Sequence, residues 1–374
     1  MTGGGSGGHI TPLLSLAQEL KRQQPDCQLV YIGHKGDKPK VSDKNFDRVF
    51  YINAGKFRRY HDDSLWRKLT DFKTIALNIR DFFRLLTSIG SAYRILSRVK
   101  PDALFSKGGF VSVPVGLAAR IKGIPIITHD SDAIGGLANQ IVGRWATVRA
   151  SGMPSDEPGV RYVGIPLDAH IAAISAPDQK TFKKQLDIPK DAKLLLLTGG
   201  GNGSVHLNQL LVSAAPQLLS QDANLYIAHM TGHQHLQATE HAYQRALTPE
   251  QQRRVLRRDF VSDLYKYSAA ADLIISRAGA TVIAEFAVQG KACIIIPSPF
   301  LAGGHQLKNA KVLADADAAV ILSEDADATD LIVLVQKLLA DSARREQLAK
   351  NLHGLSKSDA AEELAKIIIQ TAGA

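Results

Sequence analysis

The sequence predicts an α/β protein with two similar domains, each built on a parallel sheet. Strand-like apolar runs alternate with helix-like segments along the whole chain, which is the pattern of parallel strands joined by crossover helices. A glycine-rich hexapeptide, Thr2–Gly7, recurs at Thr198–Gly203, and a helical pattern follows each copy. The length of 374 residues also suffices for two or three cores of ordinary size.

The predicted strands fall in both halves of the chain. In the first half they cover residues 28–32, 103–106 and 124–129, and in the second half residues 193–198, 224–229, 272–276 and 292–297. The second hexapeptide follows the apolar run Leu194–Leu197, whereas the first has only Met1 before it. Because the first strand of such a domain lies at the centre of its sheet, we expect this strand to be missing and the native start to lie upstream of Met1.

Composition excludes several classes of protein. With 45% hydrophobic and 22% charged residues, the chain is neither disordered nor fibrous. It contains no apolar run of the roughly 18 residues that span a bilayer, and its N-terminus has no signal-peptide pattern. The two distant cysteines, Cys27 and Cys293, predict buried, reduced thiols of a cytosolic protein.

The net charge of +9 lies almost entirely in the first half of the chain. Residues 1–165 carry a net charge of +10, residues 166–374 carry −1, and residues 56–100 alone carry +7. This concentration indicates an anionic partner: nucleic acid, an anionic membrane surface or a phosphorylated substrate.

Four glycine-rich turns follow strands or open helices, and they are divided between the two halves. They cover residues 3–8, 107–110, 199–203 and 276–281. Glycines in such turns let backbone N–H groups at a helix N-terminus approach a phosphate. An NAD site is disfavoured, because Tyr31-Ile32 runs into Gly33-His34 where a dinucleotide site needs an acid. The turns predict a cleft that binds a diphosphate without a metal.

Several of these motifs together resemble the bacterial MurG family. They are Gly4-Gly5-Ser6-Gly7-Gly8-His9 with Pro12, Gly108-Gly109-Phe110-Val111-Ser112, Ser276-Arg277-Ala278-Gly279 with Glu285, and Gln306 with Asn309-Ala310. The resemblance covers nearly the whole chain. It implies the GT-B fold, in which two Rossmann-like domains face each other across a cleft. Residues 1–165 then form the acceptor and membrane-contact domain, residues 166–345 the UDP-sugar domain, and residues 346–374 helices that return towards the first domain.

The resemblance also implies an activity. Members of the family transfer N-acetylglucosamine with inversion from UDP-N-acetylglucosamine (UDP-GlcNAc) to the 4-hydroxyl of the muramyl sugar of lipid I, giving lipid II. They act peripherally at the cytoplasmic face of the membrane and need no cofactor. Two alternatives stay open: another GT-B enzyme, such as a UDP-GlcNAc 2-epimerase or a glycolipid synthase, and a non-catalytic UDP-sugar-binding protein.

Two residues are candidates for the catalytic base that this reaction requires. His9 lies at the tip of the first glycine turn, and an imidazole with a pKa near 6.5 can accept a proton or orient the acceptor. Asp130 ends a predicted strand, but most of the family carries glutamate there. Asp130 and Asp132 also spell D-x-D, a metal-binding motif in another transferase fold. We expect no metal here, and the resemblance places Asp132 near the donor sugar.

The remaining site residues are carried over from the family's donor-binding motifs. The resemblance assigns Glu285 to the ribose hydroxyls, for which a carboxylate is a suitable acceptor, and the backbone of Val261 to the uracil edge. It places the helix-start amides of residues 280–284 near the diphosphate and the amides of Gln306 and Asn309 on the sugar. The full predicted set comprises Ser6, Gly7, Gly8, Asp132, Gly201, Val261, Ala280, Thr281, Val282, Ile283, Ala284, Glu285, Gln306 and Asn309.

Two positions depart from the family pattern. Asp168 stands where the family usually has an arginine, and Gly201 stands where it usually has a serine. The donor diphosphate therefore loses one expected cation and one hydroxyl, and we expect weaker donor binding unless another basic residue compensates.

The basic segment at residues 65–89 has apolar residues at three- to four-residue spacing, which predicts a basic amphipathic helix. Its apolar stripe fits two interpretations equally: an ordinary helix packed on a core, or a patch that meets anionic lipid. The aromatic content and the charge favour the anionic membrane surface, and nucleic acid is not expected as a partner.

Overall fold

The computed structural model describes residues 1–4, 7–35, 45–55, 72–172, 179–300 and 302–373. The chain divides into two compact units, Met1–Ala169 with Lys357–Ala374, and His170–Ser356. Residues 346–356, expected among the returning helices, therefore belong to the second unit. None of the described helices combines the length and the apolar character that crossing a membrane requires.

The first unit contains a parallel sheet. Its strands are β1 (Val30–His34), β2 (Arg48–Ile52), β3 (Leu104–Ser106), β4 (Ile126–Asp130), β5 (Val148–Ser151) and β6 (Val160–Tyr162). β1 pairs with β2, and β3 to β6 pair in sequence order. Both faces are covered, because alternate residues such as Leu104 and Phe105 enter different hydrophobic clusters.

Thr2 occupies the central position of this sheet, where a first strand is expected. It forms one parallel bridge to Ile32 of β1 and another to Ser106 of β3. Its N–H donates to the carbonyl of Phe105 at 2.8 Å, and its own carbonyl accepts from the N–H of Lys107 at 2.8 Å. Residues 1–4 form no full strand, but Thr2 links β1 and β3, so the order is β2, β1, Thr2, β3, β4, β5, β6.

Helices cover the sheet of the first unit. They are α1 (Gly7–Gln23), α2 (Phe72–Val99), α3 (Ser112–Ile121) and α4 (Leu137–Val142); a short helix, α5 (Ala169–Ala172), lies where the chain passes into the second unit. The predicted amphipathic segment thus contributes to α2, although residues 56–71 lie outside the described part of the chain.

The second unit has a six-stranded parallel sheet with the order β12, β11, β10, β7, β8, β9. The strands are β7 (Lys193–Thr198), β8 (Leu225–Met230), β9 (Val255–Arg258), β10 (Leu273–Ser276), β11 (Cys293–Ile295) and β12 (Val320–Ile321). The order reverses between β7 and β10, and α/β sheets of this type bind their ligands at the carboxyl ends of the strands flanking such a reversal.

The helices of the second unit lie on both faces of its sheet. They are α6 (Gln179–Gln185), α7 (Val205–Gln221), α8 (Leu236–Ala246), α9 (Pro249–Gln252), α10 (Leu264–Ala270), α11 (Ala280–Val288), α12 (His305–Asp315), α13 (Ala328–Ala340) and α14 (Ser342–Gly354). Residues 194–197 of β7 are completely buried and alternate between two hydrophobic clusters, one on each face.

The last helix, α15 (Ala360–Ala372), belongs to the first unit and packs on α1. Its residues Leu364, Ala365 and Ile367 enter the cluster that contains Leu13 and Leu16 of α1. The cysteines differ from expectation in one respect: both are free and Cys293 is buried, but Cys27 is only half-buried.

Candidate functional site

The first unit brings two of the predicted glycine turns together. Gly109 has a φ of +82°, and a Cβ at this position would lie 2.6 Å from the carbonyl oxygen of Gly4, so only glycine fits. His9, in the first turn of α1, is half-buried, and its Nδ1 lies 3.0 Å from the same oxygen. Because a carbonyl can only accept, Nδ1 carries the proton, and the lone pair of the neutral ring is on Nε2.

Asp130, at the carboxyl end of β4, is held by neighbours that leave its side chain half-buried. Its Oδ1 accepts from the Gly136 N–H at 2.9 Å and from Nδ2 of Asn139 at 3.1 Å. Asn139 is itself fixed, because Nδ2 also donates to the carbonyl of His129 and Oδ1 accepts from the Ser106 hydroxyl. The strand end, the start of α4 and the end of β3 together orient this carboxylate.

Opposing influences set the pKa of the Asp130 carboxyl. Burial raises it, whereas the Gly136 N–H, the Lys107 ammonium and the Asn139 amide lower it, and the net direction is upward. Lys107 is buried, and its Nζ donates to the Ser131 hydroxyl at 2.6 Å. His129 is neutral, since burial lowers its pKa well below the usual range. Asp132 follows at a half-buried position.

The second unit carries its own pair of glycine turns at the reversal between β7 and β10. The turn after β7 is closed by a hydrogen bond from Gly203 to Gly200, and its Gly201 is exposed. Gly203 has a φ of +73°, and a Cβ there would lie 2.1 Å from the carbonyl oxygen of Thr231. The turn ends at Ser204, whose hydroxyl caps α7 by accepting from the Leu207 N–H.

Arg277 connects four elements at this end of the sheet. It follows β10, and one guanidinium nitrogen donates to the carbonyl of Ile296 beyond β11 at 3.0 Å. The other donates to the Ser204 hydroxyl at 2.9 Å and to Glu324, beyond β12, at 2.9 Å. Both nitrogens contact the Glu324 carboxylate, so the pair is bidentate. Arg277 thereby fixes the glycine turn before α7 relative to the turn before α11.

The start of α11 is open to an anion. Its N-cap is Gly279, which offers no side chain to the first N–H groups, those of Ala280, Thr281 and Val282. Ile283 donates back to the Gly279 carbonyl, and Ala284 continues the helix. The uncapped N-terminus of a nine-residue helix, next to a glycine turn, is a suitable phosphate-binding position.

Glu285 lies one turn further along α11. Its side chain is half-buried, and burial raises the pKa of Glu285 to about 7. No hydrogen-bond donor reaches this carboxylate from the part of the chain that the structure describes. A carboxylate that is partly withdrawn from water and lacks a donor is suited to accept from a ligand hydroxyl.

Three further predicted donor residues differ in their exposure. Val261, between β9 and α10, is half-buried. Gln306 is half-buried, and its Oε1 accepts from the Ser298 N–H at 2.8 Å. Asn309 is 0% exposed, and its Nδ2 donates to the carbonyl of Ala278 at 2.9 Å. This burial argues against the expected contact of Asn309 with a sugar and makes it a support for the turn before α11.

The structure places the predicted residues at the carboxyl ends of both sheets, with one exception. Gly7 and Gly8 begin α1, but Ser6 lies outside the described residues. Sequence reasoning missed Lys107, Asn139 and Glu324, because their roles depend on partners far along the chain. Within the described ranges, no group of three histidine, cysteine or acidic side chains is arranged to hold a metal ion.

Comparison with known sequences also finds two domains in the chain. Residues 1–150 match the N-terminal domain of glycosyltransferase family 28, and residues 194–364 match its C-terminal domain. A protein of Desulfitobacterium hafniense is 31% identical, over 100% of this chain and 98% of its own. A protein of Caldicellulosiruptor saccharolyticus is 30% identical, over 98% of this chain and 95% of its own length. Both are named UDP-N-acetylglucosamine–N-acetylmuramyl-(pentapeptide) pyrophosphoryl-undecaprenol N-acetylglucosamine transferase.

Solved structures show the same architecture. The crystal structure of MurG from Acinetobacter baumannii matches with a TM-score of 0.76 and 27% identity, covering 99% of this chain and 98% of that one. The structure of S. aureus MnaA with UDP matches with a TM-score of 0.65, covering 97% of this chain and 94% of that one. Because the two sequences are only 13% identical, this match shows a likeness of fold alone.

Proposed function

The chain belongs to the MurG family within glycosyltransferase family 28, and from this premise we propose how its residues carry out the family's reaction. It is an N-acetylglucosaminyltransferase of the GT-B fold that transfers N-acetylglucosamine from UDP-GlcNAc to lipid I, the N-acetylmuramyl-pentapeptide pyrophosphoryl-undecaprenol. The observation that carries the residue assignment lies in the second unit, at the sheet reversal. There an uncapped helix start is paired with the Glu285 carboxylate, which no hydrogen-bond donor reaches within the described ranges.

The second unit binds the donor. The first N–H groups of α11 point towards the diphosphate and stabilise the charge that develops on UDP as it leaves. Glu285 accepts hydrogen bonds from the two ribose hydroxyls. The backbone of Val261 binds the uracil edge, and the exposed turn at Gly201 gives its N–H to a phosphate. Gln306 contacts the sugar with the NH₂ of the amide whose oxygen holds Ser298.

Arg277 acts on the donor through the elements that it joins. Its hydrogen bonds to Ser204, Glu324 and the Ile296 carbonyl keep the two glycine turns at fixed positions. A diphosphate that takes N–H groups from both turns needs them placed before it arrives, because their ordering would otherwise reduce affinity. Arg277 is thus a positioning residue, and this role does not require the arginine that Asp168 replaces.

The first unit binds the acceptor and provides the base. Asp130 takes the proton of the muramyl 4-hydroxyl as its oxygen attacks the anomeric carbon. The bond from that carbon to the β-phosphate oxygen breaks, and UDP leaves from the opposite face with inversion. The hydrogen bonds from Asn139 and Gly136 favour Asp130 as the base, since they hold the carboxylate in one orientation. His9 orients the acceptor from the glycine turn, and the family resemblance assigns Asp132 to the donor sugar.

The first unit also meets the membrane that holds the lipid acceptor. Phe83 and Leu86 on α2 are exposed, at 61% and 49%, beside the basic residues Arg80 and Arg84. An exposed apolar and basic helix face is suited to an anionic lipid surface. We infer peripheral attachment from this face, and we assign it to the cytoplasmic side because the nucleotide donor is available there.

A transfer assay with radiolabelled UDP-GlcNAc and a lipid I analogue tests the proposal. The wild-type protein is expected to form a labelled lipid-linked disaccharide, and Asp130→Asn to reduce the rate at least a hundredfold. Lys311→Met is a matched control, since Lys311 forms an exposed ion pair on α12 with Asp315. Absence of product from wild-type protein that still binds UDP-GlcNAc would refute the assignment and leave a binding protein.

A further inference from the structure

Lys107 is a buried cation at the centre of the first unit. It follows β3 and is 1% exposed, at the bend between the strand and the Gly108-Gly109 turn. A lysine loses favourable hydration at such a position, and proteins keep one there when nearby groups compensate. Burial lowers the pKa of Lys107 to about 8, and the charges of Asp130 and Asp132 act against this.

The geometry directs the ammonium towards the acidic pair. Nζ of Lys107 donates to the Ser131 hydroxyl at 2.6 Å, and Ser131 stands between Asp130 and Asp132. β3 and β4 are adjacent parallel strands with Ser106 opposite Thr128, so the residues after both strands emerge side by side. The Lys107 side chain therefore ends within the D-x-D segment, where another transferase fold has a divalent cation.

We propose that Lys107 is a positioning residue whose ammonium, anchored by Ser131, keeps the Asp130 carboxylate ionised and able to accept the proton of the acceptor hydroxyl. The inference rests on the proposed role of Asp130 as base. It gives the acidic pair its counter-charge from the chain itself. Lys107 acts through Asp130 and Ser131 and touches neither substrate.

The other groups around Asp130 cannot provide this charge. From its own strand, His129 is neutral and uses Nε2 to donate to the Gly164 carbonyl. From its own loop, Asp132 is acidic and opposes ionisation of Asp130. From α4, Asn139 and the Gly136 N–H donate hydrogen bonds but carry no charge. Among the groups that act on Asp130 in the described chain, Lys107 is the cation.

The experiment measures kcat/KM for the lipid I analogue against pH in wild type, Lys107→Met, Lys107→Arg and Ser131→Ala. Methionine has nearly the same length as lysine but no charge. The acid limb of the pH profile, where kcat/KM falls as Asp130 becomes protonated, is therefore expected to move upward by about one pH unit. Lys107→Arg is expected to restore the wild-type limb, and Ser131→Ala to shift it upward by a smaller amount. An acid limb of Lys107→Met that coincides with wild type would overturn the inference.

Two controls separate this inference from the proposed function. If the acid limb persists in Asp130→Asn, it belongs to another group. That result would overturn the role of Lys107 but leave the proposed transferase activity intact. Where Lys107→Met does not fold, Ser131→Ala decides, and an unshifted limb counts against the proposal. If the wild-type protein shows no transfer, the ionisation of Asp130 can still be followed by ¹³C NMR of labelled aspartate carboxyls, with Asp130→Asn to assign the signal. This titration reports whether Lys107→Arg and Ser131→Ala change the ionisation of Asp130. An unchanged titration in Ser131→Ala would reject the inference.

Discussion

Donor binding is expected to strengthen with rising pH, because Glu285 must be ionised to accept the ribose hydroxyls. Burial raises the pKa of Glu285 to about 7, so the carboxylate is protonated below that pH and ionised above it. From pH 6 to pH 8, one unit on either side, the ionised fraction rises from about one tenth to about nine tenths. The affinity of the free protein for UDP-GlcNAc is then expected to rise roughly tenfold over this range.

Isothermal titration calorimetry with UDP-GlcNAc measures this change directly. UDP-GlcNAc is preferable to UDP, since its diphosphate is a diester and has no ionisation near neutral pH. Glu285→Gln serves as the control, because the amide does not titrate; its affinity is expected to be weak and nearly independent of pH. A wild-type affinity that stays constant from pH 6 to pH 8, or a slope that Glu285→Gln retains, would refute the reasoning.

Three other expectations follow from the same contacts. Gly109→Ala should lower the free energy of unfolding by more than Gly159→Ala does. A Cβ at Gly159 would have no neighbour within 4 Å, so that variant loses only the ~1 kcal/mol that positive φ costs. Equal losses in thermal melts would contradict the expected clash of Gly109→Ala with Gly4. Arg277→Met removes the bidentate partner of Glu324, whose carboxylate then keeps the His206 imidazole at 4.0 Å. The change should cost about 3 kcal/mol and weaken UDP-GlcNAc binding, with partial recovery in free guanidinium; unchanged affinity would exclude the positioning role. Binding to anionic vesicles should fall as salt rises, and insensitivity to salt and lipid charge would count against the membrane face.

The strands that could be predicted are the ones buried on both faces. Residues 194–197 are four leucines with no exposed surface, and a continuous apolar run of this kind is typical of a parallel strand buried on both faces. The strands that escaped prediction are short and only partly buried. Four of them contain arginine: Arg48–Ile52, Val148–Ser151, Val160–Tyr162 and Val255–Arg258. Their strand conformation comes from pairing with a neighbour, which a local pattern does not encode.

The candidate site was predictable where glycine turns marked it, and not where charges were buried. Glu285, after a glycine turn, and Asp130, at a strand end, were predicted because their positions resemble those of the family motifs. Lys107 was predicted as the first residue of a glycine turn, and its hydrogen-bond partner Ser131, 24 residues later, is not part of that pattern. Arg277 similarly depends on Glu324, 47 residues away. Asn309 was carried over from the family resemblance as a sugar contact, and the sequence gives no sign that its side chain is enclosed.

The central claim is that the second unit binds the donor and the first unit provides the base. It is tested most directly by measuring both UDP-GlcNAc affinity and the transfer rate at saturating donor in Asp130→Asn and Glu285→Gln. Asp130→Asn is expected to keep wild-type affinity and lose the rate, while Glu285→Gln is expected to lose affinity and keep most of the saturated rate. If Asp130→Asn weakens donor binding as much as Glu285→Gln does, or transfers at the wild-type rate, the division of roles is contradicted.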